Sequence, residues 1–301
     1  MIHYNQCPVC KSSDIQYIFK AKDYTVSNEL FPVWECKSCS FRFTQDVPSQ
    51  DAIGRYYQSE NYISHSDTQE GLINKLYHSI RKITISSKTQ LLKSVSGLST
   101  GKVLDIGCGT GAFLHSMKQA GWEITGLEPD DTARKNAETL HQVFPLPSHE
   151  LFNLEKGHYD VITMWHVLEH VHQLHEYINQ CKLLLKENGT LIIAVPNYTS
   201  GDANSYKEFW AAYDVPRHLY HFSPASMKTL VSQHGMKVQQ MKPMWYDSFY
   251  VSMLSEQCKH GKGNNLNAGI VGLWSNVKAL FNTARCSSVI YIIRKNSSVI
   301  N

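Results

Sequence analysis

Four groups of residues in this 301-residue chain have types and spacings that could do chemistry. Cys7-Pro-Val-Cys10 and Cys36-Lys-Ser-Cys39 are paired C-x2-C knuckles separated by 25 residues, a donor set suited to a structural, tetrahedral zinc. A rubredoxin-like iron site would use the same ligands, so the spacing specifies a metal before it specifies which one. Val103-Leu104-Asp105-Ile106-Gly107-Cys108-Gly109-Thr110-Gly111 sets an acid inside an apolar run, with three glycines at alternate positions after it. Such a turn lets the backbone approach a ligand that any Cβ would block. Glu128 follows 21 positions after Gly107, about where nucleotide-binding folds carry a ribose-binding carboxylate. His166-x-x-Glu169-His170 and Asp214-Val-Pro-Arg217-His218 gather acids, a guanidinium and imidazoles, the groups that bind anions and move protons. Cys108, Cys181, Cys258 and Cys286 stand alone and read as ordinary free thiols.

The elements that must hold these residues alternate between strand and helix. A buried strand enters the glycine turn, and residues 112–120 have helical composition ending at Gly121. A second strand over 122–127 leads into Glu128, and 130–140 reads as a helix capped by Asp130. A short strand over 141–145 and a clear one over 159–165 follow. A helix through Leu185 and a turn at 187–189 then lead to a fifth strand, 190–195, which ends at Pro196-Asn197. Ser223-Pro224 caps a helix over 225–234, Gly235 ends it, and 236–241 and 288–294 read as the closing strands. This alternation predicts a parallel sheet with ligands at the C-terminal ends of its strands. Apolar positions from Leu72 to Val95 fall at helical spacing, although the β-branched run Ile83-Thr84-Ile85 argues against one unbroken helix.

The reactive groups admit rival readings. H-x-x-E-H matches the inverted zinc-protease pattern, which needs both histidines on one helical face; its place directly after a buried strand speaks against that. Gly107, Gly109 and Ala112 satisfy the loose dinucleotide pattern of an NAD-linked oxidoreductase, which leaves Asp105 without a role. Asp105-Ile-Gly-Cys-Gly-Thr-Gly111 resembles motif I of the class I S-adenosylmethionine (SAM)-dependent methyltransferases, and Leu168-Glu169-His170 resembles a sequence they commonly carry after the fourth strand. Asp214-x-Pro-Arg217-His218, with Phe222-Ser223 after it, is similar to a bacterial subgroup of that class.

The resemblance implies an α/β, Rossmann-like, seven-stranded sheet with a small N-terminal zinc ribbon. Its donor site would use Asp105, Ile106, Gly107, Cys108, Gly109, Gly111, Glu128, Pro129, Trp165 and His166. Asp105 would organise the methionine end of SAM and Glu128 the ribose hydroxyls. The acceptor side would draw on Tyr62, His65, Asn197, Arg217 and His221, with His170, His218 and Asp214 as the catalytic set. Arg217 would bind an anionic acceptor, and a histidine would take a proton from a hydroxyl or an activated carbon. A sugar-like or other polar metabolite is the first expected acceptor class, a lipid or quinone-like phenol the second, and RNA the third. The alternative for the loop at 213–222 is a segment ordered by its own hydrogen bonds, and for the whole chain a binding protein that keeps the fold as a scaffold.

Composition sets the outer bounds. A hydrophobic content of 42% and a charged content of 18% are ordinary for a globular protein, and a net charge of +3 does not announce a nucleic-acid partner. Residues 1–46 carry five basic and five acidic side chains, so the ribbon lacks the footprint of phosphate binding and nucleic acid is disfavoured. No apolar run approaches the ~20 residues that span a bilayer. The N-terminus lacks a signal pattern, and a cytoplasmic location is expected. The chain divides into a metal module at 1–46, a linker or lid with a helix at 47–100, and a methyltransferase domain at 101–301 with an insertion near 250–285.

Overall fold

The computed structural model describes residues 1–58, 72–261 and 263–296, with the backbone alone over 72–82. In chain order the strands are β1 (Ile15–Lys22), β2 (Leu30–Cys36), β3 (Arg42–Thr44), β4 (Lys102–Ile106), β5 (Glu123–Leu127), β6 (Tyr159–Trp165), β7 (Leu185–Pro196), β8 (Tyr220–His221), β9 (Met236–Pro243) and β10 (Ser288–Lys295). The helices are α1 (Leu72–Ser96), α2 (Ala112–Gln119), α3 (Asp131–His141), α4 (Leu174–Leu184), α5 (Gly201–Tyr206), α6 (Pro224–Gln233), α7 (Asp247–His260) and α8 (Asn265–Phe281). A four-stranded sheet has the order β1-β2-β3-β8, and a six-stranded sheet the order β5-β4-β6-β7-β10-β9. Contacts group the chain into two compact units, Met1–Tyr62 with His166–Tyr177 and Ala194–Tyr291, and Ile63–Trp165 with Ile178–Ile193 and Ile292–Asn301.

In the second unit β4 lies between β5 and β6 and pairs with both in parallel, bringing Asp105 level with Gly126 on one side and Thr163 on the other. Val103, Leu104, Ile106, Leu127, Val161, Ile162 and Met164 are buried, as expected of parallel strands covered on both faces. Asp130 caps α3 by accepting from the Ala133 amide at 2.7 Å. The strand expected over 141–145 is reduced to a single parallel bridge from Leu146 to Leu127. Its first residue still belongs to α3, Gln142 turns left-handed to close that helix, and Pro145 has no amide to give. The turn expected at 187–189 is absorbed into β7, which begins as soon as α4 ends. Ile83-Thr84-Ile85 does not interrupt α1, because β-branching lowers helix propensity only slightly.

In the first unit the turn between β1 and β2 is tied by the buried Asp23 carboxylate, which accepts from the amides of Thr25, Val26 and Ser27. β2 and β3 pair antiparallel, and β3 in turn pairs with β8, so the far loop at 213–222 is stitched to the N-terminal ribbon. Phe31, Val33, Tyr56, Trp210, Tyr213 and Val215 share one buried cluster there. Ser223 caps α6 in a reciprocal capping box with Ser226, and Pro224 occupies its first turn. The segment between β9 and β10 folds as α7 and α8.

Candidate functional site

The turn after β4 takes its shape from its glycines. Gly107, Gly109 and Gly111 all have φ between 55° and 76°, the left-handed region that other residues avoid. At Gly111 a Cβ would also meet Ala137 and Val143 at 3.1 Å, whereas the space beside Gly109 is open. Glu128 spans this turn from the end of β5: one carboxylate oxygen accepts from the Gly109 amide at 2.8 Å and the other from the Asp130 amide at 3.1 Å. Asp105 is buried and accepts from Thr163 Oγ1 at 2.6 Å. Burial pushes its pKa up to about 7 against that hydrogen bond and the nearby Lys88 ammonium. Trp165, at the end of β6, stacks edge-to-face on Phe113, and Lys88 from α1 lies 4.4 Å above its ring. Among the described residues its buried indole N–H has no partner. Ile106 is buried beneath the turn, and Cys108 packs its sulfur against Gly126. Pro129 is exposed, its carbonyl held by Arg134.

These features fit SAM. A backbone open at Gly109, an acid fixed on that amide, a buried acid at the strand end and an orphan indole N–H match a ligand that carries a ribose, an ammonium and several acceptors. Thr163 and Lys88 were not foreseen. Thr163 lies on the strand beside β4, a register that only pairing reveals, and Lys88 comes from a helix with no motif.

His166 follows Trp165 with φ 58°, a conformation that costs a non-glycine residue on the order of 1 kcal/mol and persists only where the surroundings impose it. Its Nε2 lies 3.0 Å from Asp247 and its Nδ1 3.4 Å from the buried Glu169. Burial favours the neutral ring, but the two carboxylates outweigh it and hold the pKa up to about 10. His166, Glu169 and His170 do not share the face of an α-helix: residues 168–170 form one 3-10 turn, and α4 starts only at Leu174. The geometry that an inverted zinc protease needs is therefore missing. His170 Nδ1 sits 3.1 Å from the Arg217 carbonyl and 3.1 Å from the Tyr57 hydroxyl, and its ring meets that of His218 edge-on at 4.6 Å. Burial and the neighbouring His218 push the His170 pKa down to about 4. Because a carbonyl only accepts, Nδ1 carries the proton and Nε2 the lone pair.

The loop at 213–222 divides into groups turned inward and groups left available. Arg217 is fully enclosed: its guanidinium donates to Asp214 at 2.6 and 3.0 Å, to Asp23 at 3.0 Å and to the Tyr56 carbonyl at 2.8 Å. It serves as an internal clasp, and an anion-binding role does not fit that placement. His221 is also buried, with Nε2 3.0 Å from Thr44 Oγ1, and Asn197 spends its amide on the carbonyls of Ala284 and Cys286. Both side chains are enclosed, so both expectations give way to the reading of a loop ordered from within. Asp214 pairs with Arg217 and stays ionised, since that partner outweighs its burial, and it faces His218 Nε2 at 4.0 Å. His218 Nδ1 donates to the Ala212 carbonyl at 2.8 Å. The ribbon buttresses the loop through Arg42 on the Tyr213 hydroxyl and Thr44 Oγ1 on the His218 carbonyl. Tyr62 and His65 lie outside the described residues.

Cys7, Cys10, Cys36 and Cys39 converge, their four sulfurs all within 4.8 Å of one another. Cys7 and Cys39 are 3.6 Å apart and Cys10 and Cys36 3.5 Å, too long for disulfides and near the ~3.8 Å edge of a tetrahedron with metal–sulfur bonds of about 2.3 Å. This donor set suits zinc.

Residues 77–241, more than half of the chain, match the family described as a methyltransferase domain. The chain belongs to that family. It is accordingly a class I SAM-dependent methyltransferase, and the dinucleotide reading of the glycines after β4 is set aside. This methyltransferase is 38% identical over 138 residues to the ubiquinone biosynthesis O-methyltransferase of Glaesserella parasuis, across 42% of this chain and 55% of that relative. It is 28% identical over 213 residues to the protein of the same name from Nitrosococcus oceani, across 66% of this chain and 86% of that one. The chain thus spans little more than half the length of the first relative. Among solved structures, the magnesium protoporphyrin IX methyltransferase of Synechocystis with bound SAH superposes with a TM-score of 0.53 at 15% identity, covering 80% of this chain and 97% of that one. A SAM-dependent methyltransferase from Archaeoglobus fulgidus gives 0.50 at 22%, covering 72% and 94%. These two likenesses show the fold. Among the described residues no helix is long and apolar enough to cross a membrane.

Proposed function

We propose that this methyltransferase moves a methyl group from SAM to an oxygen of a small-molecule acceptor, with an aromatic hydroxyl as the acceptor class. One observation carries the donor half of this reading: Glu128 fixed on the Gly109 amide beside an open backbone, with buried Asp105 on the adjoining strand. SAM supplies an electrophilic methyl on a sulfonium. Glu128 accepts from the ribose hydroxyls, and Asp105 accepts from the ammonium end.

His170 is the base. Its neutral ring, with Nδ1–H on a carbonyl, offers Nε2 to a hydroxyl. The proton passes to Nε2 as the acceptor oxygen bonds to the methyl carbon, and the carbon–sulfur bonding pair stays with the S-adenosylhomocysteine product. His218 helps keep His170 neutral, and Asp214 holds Arg217, whose carbonyl orients the ring. The sugar-like acceptor expected from the sequence lacks support, since Arg217 and His221 are enclosed, whereas the relatives' names specify O-methyl transfer in ubiquinone biosynthesis. We also infer that the four cysteines hold zinc, which fixes the ribbon under the loop that carries His218.

The test is a product assay: SAM with a panel of phenols and catechols, and separately with nucleotide-linked sugars, read by mass spectrometry. Methyl ethers from the aromatic panel are expected, with His170→Gln lowering kcat by about 100-fold or more while SAH affinity holds. Turnover of sugars alone, or a His170→Gln enzyme of full activity, would overturn the assignment.

A further inference from the structure

Helix α8 is packed inside out. The face it turns to its own unit is built of small residues, Ala268, Gly272, Ser275 and Ala279, all buried. Gly272 lies so close to Phe249 on α7 that a Cβ there would meet that ring at 2.8 Å, and Ser275 Oγ donates to the buried Asp202 at 2.7 Å. The large apolar side chains point the other way. Leu266 is 77% exposed, Ile270 59%, Leu273 58%, Trp274 54%, Leu280 71% and Phe281 88%. A helix on the surface of a globular protein normally does the reverse, and so long an exposed apolar stripe needs a partner.

Charge identifies that partner. From Gln257 to the C-terminus, 45 residues, the chain contains Lys259, Lys262, Lys278, Arg285, Arg294 and Lys295 and not one Asp or Glu. Lys259 is exposed just before α8, Arg285 follows it, and Lys278 on the helix lies over the Trp274 ring at 5.0 Å. An apolar stripe with aromatic residues, basic flanks and no acid is complementary to an anionic bilayer: the acyl boundary receives the apolar side chains and the lipid phosphates the cations. A second protein surface would have to be both apolar and acidic to match as well.

We propose that α8 docks this protein, in the plane of the interface and without spanning it, on the surface of an anionic phospholipid bilayer. The proposal is independent of the methyl acceptor. Its test is co-sedimentation of the full chain with phosphatidylcholine vesicles, with and without phosphatidylglycerol. Binding to the phosphatidylglycerol vesicles is expected, weakened by added salt. Leu273→Glu with Trp274→Glu should cut partitioning at least about tenfold, and Lys259→Glu with Lys278→Glu should abolish the preference for phosphatidylglycerol. Lys259, Leu273 and Trp274 are exposed and Lys278 is half-buried, and unchanged SAH affinity confirms that each variant is folded. Failure of the wild type to bind vesicles, or binding that Leu273→Glu with Trp274→Glu leaves intact, overturns the proposal. A dimer in sedimentation velocity that this pair of changes dissociates, with no vesicle binding, would assign the face to a second copy of the chain.

Discussion

His166 and His170 stand four residues apart and titrate in opposite directions. His166 lies between Asp247 and Glu169 and holds its proton to about pH 10. Its folded pKa is raised above the unfolded value of about 6.5, so its contribution to stability is complete below that value and is lost as pH rises through about 10. His166→Gln should therefore destabilise the protein at pH 7 and progressively less toward pH 10, as read from urea midpoints across that range. His170, pushed down to about 4, behaves differently: as a base it should keep kcat flat above pH 5, with activity falling only as pH drops through about 4. An acid limb near 6.5 would contradict the neutral ring. Arg217 gives a third prediction. Arg217→Met leaves Asp23 and Asp214 without their cation in an enclosed site, and should cost about 3–5 kcal/mol in chemical denaturation. The sequence displayed these residues and concealed their partners. Asp247 is far along the chain from His166, and Asp23 sits in a ribbon turn that read only as one acid among five.

The ribbon's four cysteines were legible as elements because their spacing is local, and a metal knuckle is a local structure. Its use was not legible. β8 is only two residues long, and no periodicity marks a strand that short, yet its pairing with β3 ties the His218 loop to the metal module. Cys36→Ser should lower bound zinc and stability together, and restoring zinc to a chelator-stripped wild type should recover activity along with metal content. Metal analysis beside the product assay checks both, and a fully active enzyme free of metal would remove the ribbon from any supporting role. The missing strand at 141–145 has the opposite lesson: apolar residues suggested it, while the helix end at Gln142 and the ring of Pro145 prevented it.

For the whole molecule, alternation of strand and helix was enough to announce the parallel sheet, and the glycines after its first strand were enough to mark the sharp turn there. Which segments gather into one unit was not written in order. The stretch His166–Tyr177 belongs by contact with the N-terminal ribbon and the C-terminal helices, and contacts so distant along the chain leave no local trace. The outward apolar face of α8 was equally hidden, since an apolar helix reads the same whether its large side chains point inward or outward.

Holding the methyl donor is the role proposed for the turn after β4, with Asp105 and Glu128. Calorimetric titration of the full chain with S-adenosylhomocysteine, with NAD as a parallel control, tests it most directly. Micromolar binding of the former alone, about −8 kcal/mol, is expected, with Asp105→Ala and Glu128→Ala each weakening it by about tenfold or more. Binding of NAD in its place, or unchanged affinity for S-adenosylhomocysteine in both variants, would contradict the donor site.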